Sequence, residues 1–153
     1  MRTAARPTLI ALLLALGLSA IVIGLSIFVL GAAETSRMVE TAYGHLTGSA
    51  PVTASGYSAR VEQIIRFFTG FWIVYGAIVV ATALNLKRWS ANVPGLATVL
   101  FLGGLGRLFA YRQFGSPHPT FVVMMVAELA LPPVLVALWA EVRRDAGGGA
   151  GRR

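Results

Sequence analysis

The chain of 153 residues contains no cysteine. That excludes disulfides, thiolate nucleophiles, iron–sulfur ligation and cysteine-based zinc sites, and it leaves the redox compartment undetermined. Charge is scarce too: Asp, Glu, Lys and Arg make up 12% of the residues and hydrophobic types 56%, the composition of a lipid-embedded chain. The histidines, His45 and His118, stand too far apart for a helical ligand pair, and His118 is fixed between Pro117 and Pro119. Neither is read as a haem or metal ligand, and no cofactor is expected. Gly103-Gly104-Leu105-Gly106 lacks the lysine and the strand-to-helix setting of a phosphate loop, and no nucleophile elbow is present. No constellation for enzyme chemistry is visible, so the protein is not expected to be an enzyme. No repeat of fixed period is visible either.

What the chain does have is four long apolar runs. No charged side chain stands between Arg6 and Glu34, and Thr8–Ala32 exceeds the ~20 apolar residues that cross a bilayer core. A signal peptide is the rival reading, given Arg2, Arg6 and the small residues Gly31-Ala32-Ala33, but signal h-regions run roughly 7 to 15 residues and the length favours an anchor. The second run, Phe67–Leu86, closes on Lys87-Arg88-Trp89, a basic pair with an interfacial aromatic. The third runs from Ser90 to Gly106 and on through Arg107 to Tyr111. The fourth, Thr120–Ala140, is interrupted by Glu128 alone before Glu141-Val142-Arg143-Arg144. The expected fold is therefore all-α, an antiparallel bundle of four transmembrane helices at about 8–32, 64–86, 90–111 and 120–142, forming one domain over 1–145 with a flexible tail at 146–153. The connection Ala33–Arg60, with Pro51 and Gly56 as turn formers, is expected to be at most partly ordered, although Glu34–Tyr43 could prolong helix one and Ser58 could begin helix two early. The connections at Leu86–Ser90 and Gln113–Pro119 are short enough to make consecutive helices antiparallel neighbours.

The net charge of +7 does not form a stripe suited to nucleic acid, because the basic residues stand in pairs between the apolar runs. Arg2, Arg6, Lys87, Arg88, Arg143, Arg144, Arg152 and Arg153 fall on one side, and Arg37, Arg60, Arg66, Arg107 and Arg112 on the other. The positive-inside rule then puts both termini in the cytoplasm. In that frame Arg66, Arg107 and Glu128 all belong to the outer half, with Glu128 on the order of 12 Å below the outer end of its helix. A charge near the bilayer centre costs roughly 2.5–3.5 kcal/mol, so Glu128 is expected to pair with Arg107 or Arg66. That pair could simply tie helices together, or the acid could bind a ligand or proton. Pro132 and Pro133 lack the amides that would bond to the carbonyls of Glu128 and Leu129, which predicts a kink beside the acid. Gly103, Gly104 and Gly106 make a packing face on helix three, which Gly70 and Gly76, or Ala77 and Ala81, of helix two could meet.

Arg66-Phe67-Phe68-Thr69-Gly70, Phe101-Leu102-Gly103-Gly104-Leu105-Gly106-Arg107-Leu108, Gly115-Ser116-Pro117 and Glu128-Leu129 occur in this order. This pattern resembles a bacterial family of small four-helix membrane proteins known as a domain of unknown function of the 4345 type, over roughly Arg60–Ala140. Many members show a Gly-Gly pair early in helix two where this chain has Thr69-Gly70. The resemblance implies architecture and location but no activity. The function expected is that of a non-enzymatic, multi-pass protein of the bacterial inner membrane, an accessory or scaffolding component. The alternative is a small proton- or cation-coupled transporter built on Glu128. A membrane enzyme acting on lipid would have only Arg66, Arg107 and Glu128 to work with. Expected partners are the lipid bilayer and other membrane proteins or a second copy, and not nucleic acid.

Overall fold

A computed structural model describes residues 4–48, 58–115 and 118–148. Its elements are helices α1 (Ala5–Leu30), α2 (Ala32–Thr47), α3 (Ala59–Leu84), the short α4 (Leu86–Trp89) continuing through a 3-10 turn (Ser90–Asn92) into α5 (Val93–Phe114), and α6 (Pro119–Gly148). Four stretches are long and apolar enough to cross a membrane: Ala5–Leu30, Ala59–Leu84, Leu86–Phe114 and Pro119–Asp145. At about 1.5 Å per residue each exceeds the ~30 Å hydrocarbon core. The fold is an all-α, four-transmembrane-helix antiparallel bundle.

The helices overrun the charge-free runs at their ends. Ser58 accepts a hydrogen bond from the Val61 amide at 3.4 Å, so α3 starts at Ala59 and takes in Arg60 and Glu62. Helix α6 opens on Pro119, where a missing N–H costs nothing, and runs on to Gly148. The largest departure lies between α1 and α3, where residues 32–47 form a separate helix. Gly31, at φ 96°, stops α1 after its amide bonds to Ile27, and α2 begins one residue later, so residues 34–43 do not prolong α1. Gly48, at φ 71°, closes α2 with its amide on the Gly44 carbonyl. Pro51, Gly56, Ser116, Pro117, Arg2, Arg152 and Arg153 lie outside the described residues.

Helix α1 buries Leu9, Leu13, Gly17, Ala20 and Gly24, a stripe at steps of four and three. The stripe packs on α3, and the two backbones meet at Gly17 and Gly76. A Cβ on Gly17 would lie 2.9 Å from the Gly76 oxygen, and one on Gly76 would lie 2.8 Å from the Gly17 oxygen. Gly76 thus faces α1 and not the glycines of α5, and Ala77 is exposed. Helix α5 packs on α6, and α6 also packs on α1, so α1 stands between α3 and α6. Between α3 and α5 the Tyr75 hydroxyl donates to the Leu96 carbonyl at 2.9 Å. Leu9, Leu13, Val79, Leu86, Val93 and Leu135 form an apolar core toward the end that carries the termini. Helix α6 stays helical through Pro132, which is buried, and Pro133, which is exposed.

Candidate functional site: an ion pair in a glycine notch and a capped helix corner

Arg107 of α5 and Glu128 of α6 meet directly, Nε donating to Oε2 at 2.8 Å. The glycines before Arg107 explain how the helices come close enough. A Cβ on Gly104 would lie 3.0 Å from both Glu128 Cβ and Leu129, and one on Gly103 would lie 3.9 Å from Glu128 Oε2. Gly103, Gly104 and Arg107 share a helical face at i, i+1 and i+4. The two glycines form a notch that receives the Glu128 side chain, and the guanidinium one turn on closes it. The Glu128 side chain is only 13% exposed, the Arg107 side chain 40%, so the acid is inside the protein and the arginine stem bridges from it toward the surface. Nine residues separate Glu128 from the start of α6, about 13 Å of helix. At that depth the pair replaces two separate insertion costs with one charge-assisted hydrogen bond.

Arg66 does not join this pair. Its Nη1 donates to the Phe28 carbonyl in the last turn of α1 at 2.9 Å, and its Nε reaches Glu62 Oε1 at 3.3 Å. The same Glu62 oxygen accepts the Ala32 amide at 2.8 Å. Arg66 therefore neutralises the carbonyl end of α1, and Glu62 caps the amide end of α2, both acting from α3 across the break at Gly31. A Cβ on Gly31 would lie 2.5 Å from Glu62 Oε1 and 3.0 Å from Arg66 Nη2. The cluster expected from Arg66, Arg107 and Glu128 is thus two sites at similar depth, one on α1–α3 and one on α5–α6. Glu62 was missed, although its place four residues before Arg66 is the spacing of a helical ion pair. Of the glycines proposed for packing, Gly70 and Gly106 meet nothing within 4 Å of an added Cβ. Those two positions face open space, a correction that sequence spacing alone could not have supplied.

Helix α2 touches α1, α3 and α6 and so lies over the bundle end that holds both sites. At its far end Tyr43 packs edge-to-face on His118, with centroids 5.7 Å apart. His118 in turn joins the first turn of α6, its Nδ1 lying 2.9 Å from Thr120 Oγ1 and accepting the Thr120 amide at 3.4 Å. His118 is a capping group here. Outward on α2, Arg37 pairs with Glu34, whose hydrogen bond and charge push the guanidinium pKa further up. Inward, Glu40 Oε2 and Thr35 Oγ1 are buried without a hydrogen-bond partner. Among the described residues no group of three or more His, Asp or Glu side chains converges as a metal site would require.

Fold and sites together define a small helical protein of the membrane-spanning class, braced at one end by half-buried ion pairs. The chain belongs to the family described as Domain of unknown function (DUF4345), which it matches over residues 8–139, a span that includes Glu62, Arg66, Arg107 and Glu128. Comparison with curated proteins and with solved structures found no match.

Proposed function

We propose that the protein is a non-enzymatic accessory or scaffolding component of the bacterial inner membrane, multi-pass with both termini in the cytoplasm. Its work is to present α2 as a fixed surface at the outer end of the bundle, where another membrane protein or a second copy can dock. The observation that carries this reading is the corner at Gly31. Glu62 and Arg66 fix the end of one helix and the start of the next with three hydrogen bonds, an investment suited to holding a surface in place. Arg107–Glu128 serves the same end by clamping α5 to α6.

A second reading, a small proton- or cation-coupled transporter, is favoured by the burial of Glu128 beside a helix segment whose Pro132 and Pro133 free backbone acceptors. Glu128→Gln in the full chain separates the two. The scaffold reading expects loss of co-purifying partners from native membranes with no change in pH-driven flux into reconstituted vesicles. A folded variant with altered pH-dependent flux overturns it. A reporter fused to the C-terminus and active only on the outer face would overturn the orientation.

A further inference from the structure

The basic residues are treated differently at the two ends of the bundle. The end beneath α2 has five, Arg37, Arg60, Arg66, Arg107 and Arg112, against four acids, Glu34, Glu40, Glu62 and Glu128. Three of those arginines are paired, with Glu34, Glu62 and Glu128. The terminal end has eight basic residues against Glu141 and Asp145, so it carries six of the seven net positive charges. Among the described residues Arg6, Lys87, Arg88, Arg143 and Arg144 are all exposed, and none of them makes an ion pair.

These cations also flank one apolar core. Leu9 of α1, Leu86 of α4 and Leu135 of α6 share one core cluster, with Trp139 and Val142 packed against it. Arg6 lies one turn from Leu9, Lys87 and Arg88 follow Leu86 directly, and Arg143 follows Val142, so each of these charges stands within one turn of the same apolar core. Arg143 lays its guanidinium 5.1 Å from the Trp139 ring centroid, which fixes the cation in place while its N–H edge stays available. Trp89, beside Arg88, is partly exposed, as an aromatic at headgroup level would be.

We propose that this end binds the headgroup of an anionic phospholipid, with Lys87, Arg88 and Arg143 as the phosphate contacts. Unpaired cations at the rim of a membrane-spanning core face the lipid phosphates, and planar Arg edges match phosphate oxygens. The proposal holds whichever side of the membrane this end occupies.

The test uses the full chain in nanodiscs of mixed phosphatidylglycerol and phosphatidylcholine, reading by native mass spectrometry which lipids stay bound. The wild type should retain phosphatidylglycerol preferentially, and the preference should fall as salt rises. Each basic residue removed should weaken retention roughly fivefold, so Lys87→Gln with Arg88→Gln should reduce it strongly and Arg143→Gln less. Arg88→Lys, which keeps the charge, should retain most of it. Arg60→Gln with Arg112→Gln, at the other end, should reduce it much less, because that end carries one net positive charge against six. The proposal fails if the wild type shows no preference, if the Arg60 and Arg112 variants lose as much as the others, or if inorganic phosphate displaces the effect completely, which would mark a site for the free anion.

Discussion

Replacing Gly76 by Ala probes the close crossing of α1 and α3. The added Cβ would lie 2.8 Å from the Gly17 carbonyl oxygen, 2.9 Å from Ile21 Cγ1 and 3.1 Å from Ala20 Cβ. Two of these neighbours could move only with α1 itself, because one is backbone and the other a Cβ. Ordinary contact needs roughly half an ångström more, so α1 and α3 must separate along the whole buried stripe. Such overpacking costs about 1–3 kcal/mol, while Gly to Ala in a helix returns up to ~1 kcal/mol. The net expectation is a loss of up to about 2 kcal/mol, or about 1–3 kcal/mol relative to a Gly to Ala change that meets no neighbour. Gly70→Ala on the same helix is the matched control, since nothing lies within 4 Å of its added Cβ, and it should be neutral or slightly stabilising. Reversible unfolding in bicelles or mixed micelles, followed by helicity and by tryptophan fluorescence, gives both values. If Gly76→Ala proves as stable as Gly70→Ala, the α1–α3 crossing described here is wrong.

Glu62→Gln removes the charge that caps α2 and pairs with Arg66, and it should speed amide hydrogen exchange across residues 32–47 while leaving α5 and α6 unaffected. Gly31→Ala should have a larger effect in the same assay, because the residue sits at φ 96° and its Cβ would meet Glu62 and Arg66. Arg37→Ala, by contrast, removes an exposed partner of Glu34 and should leave the unfolding midpoint unchanged at all ordinary salt concentrations.

The four spans were legible because long charge-free runs have no stable alternative to a bilayer. Their ends were not, since the outermost turns carry Arg60, Glu62, Arg112 and Arg143, and a criterion of missing charge stops short of them. Helix α2 escaped for a different reason. Its start depends on Gly31 taking a positive φ and on Glu62 arriving from another helix, a tertiary cap that no local pattern encodes. Depth could be read from the sequence and direction around the helix could not. Arg66 and Arg107 lie at similar depths, yet one points to the α1–α2 corner and the other to α6. The same limit applied to the glycines: Gly104 receives Glu128 and Gly76 meets Gly17, whereas Gly70 and Gly106 face open space. Glu62–Arg66 was within reach of the sequence, at the i,i+4 spacing of a helical ion pair on a helix that Ser58 could begin early.

The claim that the intramembrane charges are structural ties rests most directly on the coupling between Arg107 and Glu128. A double-mutant cycle with Arg107→Gln, Glu128→Gln and the double variant, read as unfolding free energy in bicelles, measures it. A 2.8 Å charge-assisted contact with the acid 13% exposed and the arginine 40% exposed should give a coupling of about 1–2 kcal/mol, in the lower part of the range for contacting residues because the arginine is partly screened. The double variant should then be little worse than either single one. Additivity within about 0.3 kcal/mol, with each single variant folded and stable, would contradict the account.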